Sequence, residues 1–217
     1  MLVASLIPNA ADRNHCVQAS FRMAMEALAG RDPGPARAEE LTGWVPGRGT
    51  WQFRMLIALA DAGLAVADVE PLDVERFLAD PAAEIVREVE SREVADQYIA
   101  DTDLEAEVAA LRACVAHPRI AFVDRAPTIG EARDALEGCA LLLCHVNGKA
   151  LTDEPGHSGH MVVVERIDEH SVLLHNPGPP ARFRHELPIA TFERAWREMR
   201  NFIRVAPGDD PLAWLAR

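Results

Sequence analysis

The texture of the chain changes after residue 138, and that change limits the fold more than any other feature. CALLLCHV (139–146), HMVVVERID (160–168), SVLLHN (171–176) and NFIRV (201–205) are short, β-branched or leucine-rich runs separated by turn residues. An antiparallel sheet is what such a pattern builds. Upstream the apolar spacing is helical. CVQASFRMAMEALAG (16–30) places Val17, Phe21, Met25 and Leu28 on one stripe with Gly30 as the stop, and GTWQFRMLIALADAGL (49–64) repeats the arrangement with Thr50 as candidate N-cap and Gly63 as the breaker. Residues 82–116 are acidic, glycine-free and helix-favouring, and predict two helices broken at Asp101 to Asp103. Shorter helices are expected over PTIGEARDALEG (127–138) and IATFERAWREM (189–199). Helices first and strands later is an α+β order: a helical N-terminal half packed on a C-terminal antiparallel β-sheet.

At 217 residues, one principal domain (1–217) is expected, with the acidic helical stretch at about 82–118 as an insertion or lid. Twenty-two basic against 34 acidic side chains give a net charge of −12, which repels phosphate backbones and anionic membrane surfaces, so neither nucleic acid nor membrane is an expected partner. The opening MLVASLIPNAADR lacks a basic n-region and no apolar run reaches membrane-spanning length, which predicts a cytoplasmic protein. The four cysteines are expected as free thiols. Cys139, Cys144 and His145 sit close in sequence, yet on a strand they point to different faces, so no metal and no cofactor are expected.

Cys16 stands at the mouth of a helix, where unpaired N–H groups favour a thiolate. A nucleophilic thiol also needs an imidazole and a group that fixes its tautomer. Of the eight histidines, His160 is best placed, because DEPGHSG leaves it at the end of a loop while the apolar run behind it anchors the backbone. VERIDEHSVLLHNP then folds back as a hairpin. A turn near residues 168 to 170 returns Asn176 to the same end of the sheet as His160, in reach of its ring. Taken alone Cys16 is an ordinary buried helix-start residue; the conjunction of Cys16, His160 and Asn176 turns the reading toward catalysis.

With those residues in view the sequence resembles the bacteriocin-processing cysteine peptidases, the leader-removing domains of peptide exporters and their stand-alone relatives in the papain-like superfamily. The resemblance is carried by Ile7-Pro8, CVQASFRMAMEAL, GTWQFRML and, most specifically, GHMVVVERID followed by LLHNP, over roughly residues 5–80 and 127–205. It implies a papain-like fold with Cys16 as nucleophile, His160 as base and Asn176 as the orienting residue, where the family more often has Asp. The sequence departs from the pattern in two places. Val17, Gln18 and Ala19 follow the cysteine in place of Gly-Pro-Ala. The oxyanion Gln expected about six residues before it is Ala10, leaving Asn9 and Asn14 as the candidate amides. His157 is a rival base better suited to line the substrate entrance, and Trp51 and Trp44 are core or cleft-wall aromatics. The expected activity is hydrolysis of a peptide or small acyl or amide substrate through an acyl-enzyme. The alternatives are acyl or aminoacyl transfer on the same fold, or a silent relative that binds a peptide or protein. Oligomeric state is left open.

Overall fold

The computed structural model describes residues 4–10, 14–89, 91–197 and 199–216. Residues 1–3 of the opening stretch, and Glu90 and Glu198 within the expected helices, lie outside them. Helix α1 (Cys16–Ala29) starts at the cysteine, with the His15 carbonyl accepting the Ala19 N–H at 2.8 Å, and ends at Gly30. At φ +69° Gly30 takes the left-handed cap that costs a glycine nothing. After α2 (Pro35–Thr42), helix α3 (Phe53–Asp61) begins later than Thr50 suggests: Gln52 is its N-cap, and the Thr50 hydroxyl instead accepts from Gln18.

Strand β1 (Leu64–Glu70) was not expected, because the carboxylates Asp68 and Glu70 interrupt its apolar pattern. The acidic stretch then folds as α4 (Val74–Ala79), α5 (Pro81–Glu88), α6 (Arg92–Asp101) and α7 (Leu104–Ala116), so three helices stand between residues 81 and 116 where two were read. Asp73, Asp80, Ser91 and Asp103 each cap the following helix by accepting a backbone N–H, which adds a start at Ser91 and confirms the break at 101–103. Strand β2 (Ile120–Asp124) pairs in parallel with β1, Val66 opposite Ile120. The remainder is α8 (Ile129–Ala135), β3 (Leu141–Asn147), α9 (Gly148–Leu151), β4 (Gly159–Ile167), β5 (Ser171–Asn176), β6 (Arg182–Pro188), α10 (Ile189–Trp196) and β7 (Phe202–Pro207).

Among the described residues these strands form one seven-stranded sheet in the order β2-β1-β7-β3-β4-β5-β6, antiparallel except for β1–β2. The helical half packed on an antiparallel sheet is therefore the observed class, with two unanticipated strands donated from the N-terminal half. The third unanticipated strand, β6, is mostly exposed and carries Arg182, Arg184 and Glu186, which suits a charged edge and disguises it as loop. α1, α3 and α7 bury Phe21, Phe53 and Leu111 against Met161, Val163 and Ile203 on one face. α10 buries Phe192 and Trp196 against Val162 and Leu174 on the other. The pairings Val69↔Phe202, Leu143↔Ile203, Asn147↔Gly159 and Val163↔His175 bring the ends of β1, β3 and β5 and the starts of β7 and β4 to one edge of this sheet. The N-terminus of α1 reaches that edge.

Candidate active site

Packing of α1 on β4 sets the half-buried Cys16 beside the strand that carries His160. The backbone amides of Met161, Val17 and Cys16 itself act on the thiol and favour its ionised form, as a helix start predicts. Burial opposes them and is the larger effect, so the thiol pKa lies above its ordinary value. The expectation of a lowered pKa is thus corrected: the helix-start amides are present, but desolvation outweighs them. Among the described residues no hydrogen bond joins Cys16 Sγ to His160; the backbone amide that acts on the thiol from β4 is that of Met161, next in sequence to His160.

The imidazole is fixed by β5. His160 Nε2 lies 2.8 Å from Asn176 Oδ1, and the same oxygen accepts the Gly178 N–H at 2.8 Å. A backbone donor on that atom identifies it as the amide oxygen, so His160 Nε2 carries the proton and donates, leaving Nδ1 with the lone pair. Burial depresses the His160 pKa, against the Asn176 hydrogen bond that favours the charged ring. The hairpin delivers this contact diagonally. Val163 pairs with His175 and the register shifts at Glu165, so Asn176 lies one residue further toward the start of β4. Gly148, heading α9, abuts the ring: a Cβ there would stand 3.2 Å from His160 Cβ.

The other expected site residues fall around this centre. Asn9 donates from Nδ2 to the Gly178 carbonyl at 3.1 Å and accepts the His15 N–H on Oδ1 at 2.8 Å, so its amide ties two segments together. Asn14 is exposed. His157 Nε2 lies 3.4 Å from the Tyr98 hydroxyl, and Trp51 donates from Nε1 to Thr102 Oγ1 at 3.0 Å. His157 and Trp51 are thus each joined to α6 or its C-cap, and Tyr98 Oη approaches within 3.6 Å of where a Cβ on Gly159, the residue before His160, would lie. Trp44 instead packs on the His15 ring at 4.4 Å.

A polar network at the same edge escaped the sequence reading. Asn201 accepts the His145 N–H at 3.0 Å and lies 2.7 Å from His145 Nδ1, so its amide nitrogen donates and His145 is held as the Nε2–H tautomer. Burial, then the charge of His160, push the His145 pKa down to about 4. Gln52 donates to Glu70 Oε1 at 2.9 Å beside the fully buried Asp68. Burial pushes Glu70 up to about 7, opposed by hydrogen bonds from Asn201 and Gln52, and holds Asp68 well above the usual carboxylate range. The sequence signal was slight: one polar residue at the head of an apolar strand (Asn201) and one histidine inside another (His145).

No family model and no curated protein matches the sequence. Among solved structures the chain is similar to the peptidase domain of Streptococcus ComA, a bifunctional ABC transporter of a quorum-sensing pathway, with a TM-score of 0.51 and 14% identity over 94% of this chain and 99% of that one. The fold is papain-like. At that identity the likeness speaks for the architecture alone. Among the described residues, no helix is long and apolar enough to cross a membrane and no group of three or more metal-ligating side chains is assembled.

Proposed function

We propose that the protein is a papain-like cysteine hydrolase acting on a peptide or other amide through Cys16, His160 and Asn176. The observation that carries this is the bond from His160 Nε2 to an Asn176 oxygen already identified by the Gly178 amide, since it leaves Nδ1 as the basic nitrogen beside the helix that bears the thiol. Burial raises the thiol and lowers the imidazole, so the resting pair is neutral and the proton moves when substrate arrives. His160 Nδ1 takes the Cys16 proton as sulfur bonds to the carbonyl carbon, and the carbonyl electrons move to oxygen. The Cys16 N–H receives that oxyanion, with Asn14 as the neighbouring side-chain amide. Collapse expels the amine, protonated from Nδ1, and water activated by the same nitrogen then hydrolyses the thioester. Throughout, Asn176 holds the ring in the tautomer the steps need. One observation favours acyl transfer as the second reading: Tyr98 of α6 reaches His157 and the Gly159 backbone beside His160, a cover that would limit water at a thioester.

The test is the pH dependence of iodoacetamide labelling at Cys16, mapped by mass spectrometry, in the wild type and His160→Ala. The expected result is labelling slowed about tenfold or more near pH 7 by the substitution, as loss of the base that takes the thiol proton predicts. Exposed Cys139 is the unaffected control, and Cys114, whose thiol burial pushes to about 12, stays inert. A Cys16 indifferent to His160 makes the protein a binding relative of the fold instead.

A further inference from the structure

We infer that Asn9 is the positioning residue that locks the nucleophile helix to the His160–Asn176 pair, an assignment that rests on the triad reading above. A continuous path of short hydrogen bonds connects the two. The N–H of His15, the residue before the nucleophile, donates to Asn9 Oδ1 at 2.8 Å. Asn9 Nδ2 donates to the Gly178 carbonyl at 3.1 Å, and Gly178 N–H donates to Asn176 Oδ1 at 2.8 Å. Asn176 Oδ1 then accepts from His160 Nε2 at 2.8 Å. A further bond, from the Asn9 backbone N–H to the Pro177 carbonyl at 2.8 Å, doubles the tie. The circuit closes through the chain itself, since Met161 follows His160 and its amide acts on the Cys16 thiol.

Each member of the path is held. Gly178 sits at φ +85°, and a Cβ there would collide with the Ala181 backbone nitrogen, so the residue that receives the Asn9 amide and gives its N–H to Asn176 has no freedom to carry a side chain. Asn9 is half-buried and Asn176 buried. Asparagine is the side chain this junction needs. It presents one acceptor and one donor in opposite directions on a short stem, with the oxygen for the helix start and the nitrogen for the loop after β5. Aspartate keeps the acceptor and sets a carboxylate oxygen against the Gly178 carbonyl; glutamine is a methylene too long. α1 and the β4–β5 hairpin are far apart in sequence and share one apolar cluster, with Phe21 of α1 and Met161 and Val163 of β4 buried in it, and apolar packing fixes distance better than angle. A hydrogen-bonded strut supplies the angle, and small angular errors between nucleophile and base are costly.

A helix cap alone and a strut predict different outcomes. The experiment measures the rate of Cys16 alkylation by iodoacetamide, from about pH 6 to about pH 9, in the wild type, Asn9→Ala, Asn9→Asp, His160→Ala and both doubles with His160→Ala, with thermal melting as the check on folding. If Asn9 works through His160, Asn9→Ala and Asn9→Asp each slow labelling near pH 7 by about tenfold and lower the sensitivity of the pH profile to the histidine, yet change the rate less than about twofold once His160 is alanine. Asn9→Asp preserves the helix-start acceptor and adds a charge that a helix N-terminus favours, so a fold that tolerates it still reports on the strut. Equal slowing in both backgrounds overturns the proposal and leaves Asn9 as a cap. Absence of any effect of His160→Ala on its own overturns the triad, and with it the strut.

Discussion

Asn201 touches two groups, His145 and Glu70, whose titrations bear on stability in opposite senses. His145 is depressed from about 6.5 to about 4, so in that interval the unfolded chain takes a proton the fold refuses, and stability falls as pH drops. Glu70 is raised from 4.5 to about 7, so there the fold holds a proton the unfolded chain has lost, and stability falls as pH rises. Where the intervals overlap the two slopes oppose each other. Glu70→Gln keeps an acceptor for Gln52 and removes one slope. Its urea-unfolding free energy should match the wild type near pH 4 and exceed it by about 3 kcal/mol near pH 8, by the usual conversion of a shift of this size. A variant equally stable at both pH values would show that Glu70 ionises in the fold as it does in water. Sequence reading singled out Cys16, His160 and Asn176 because each sits at an element boundary that local patterning predicts, and the fold brings His160 and Asn176 into hydrogen-bond contact. It missed Glu70, His145 and Asn201, whose meeting depends on how β1, β7 and β3 are ordered, and strand order is a long-range property that periodicity does not contain.

At the scale of elements, α6 is the piece with most to do for least anchorage. Its only fully buried residue is Ala95; Tyr98 reaches His157 and the Gly159 backbone at the start of β4, and the Trp51–Thr102 bond holds its C-cap. Such a segment opens at small cost. Tyr98→Ala should therefore speed iodoacetamide labelling of Cys16 by about twofold or more while moving Tm by no more than about 2 °C, the effect of a change below 1 kcal/mol in a chain this long. Unchanged labelling would mean that α6 does not shield the thiol. The acidity of this stretch was legible as helix and as solvated surface. Its number of helices was not, since Ser91 reads as one polar residue among many until its hydroxyl is seen accepting the Val94 N–H.

For the whole molecule, the stretch expected as an insertion or lid divides in two. α5 and α6 each send one small or medium apolar residue, Ile85 and Ala95, into the cluster under α1 and α3, whereas α7 sends Leu111 and Cys114, both fully buried, with Ala110 beside them. Leu111→Ala should cost about 2–5 kcal/mol in denaturant unfolding, the range for a large core side chain cut to alanine; a cost near zero would place α7 outside the cooperative core. The parallel pairing of β1 with β2 carries this further. Parallel neighbours cannot be joined by a tight turn, so a chain that sets β2 beside β1 must first travel out and back, and α4 to α7 are that journey. The cover over the site edge and the outermost strand of the sheet are thus one inheritance. A relative that had shed the cover would be expected to end its sheet at β1, and one that kept the seventh strand would have to keep something spanning the same gap.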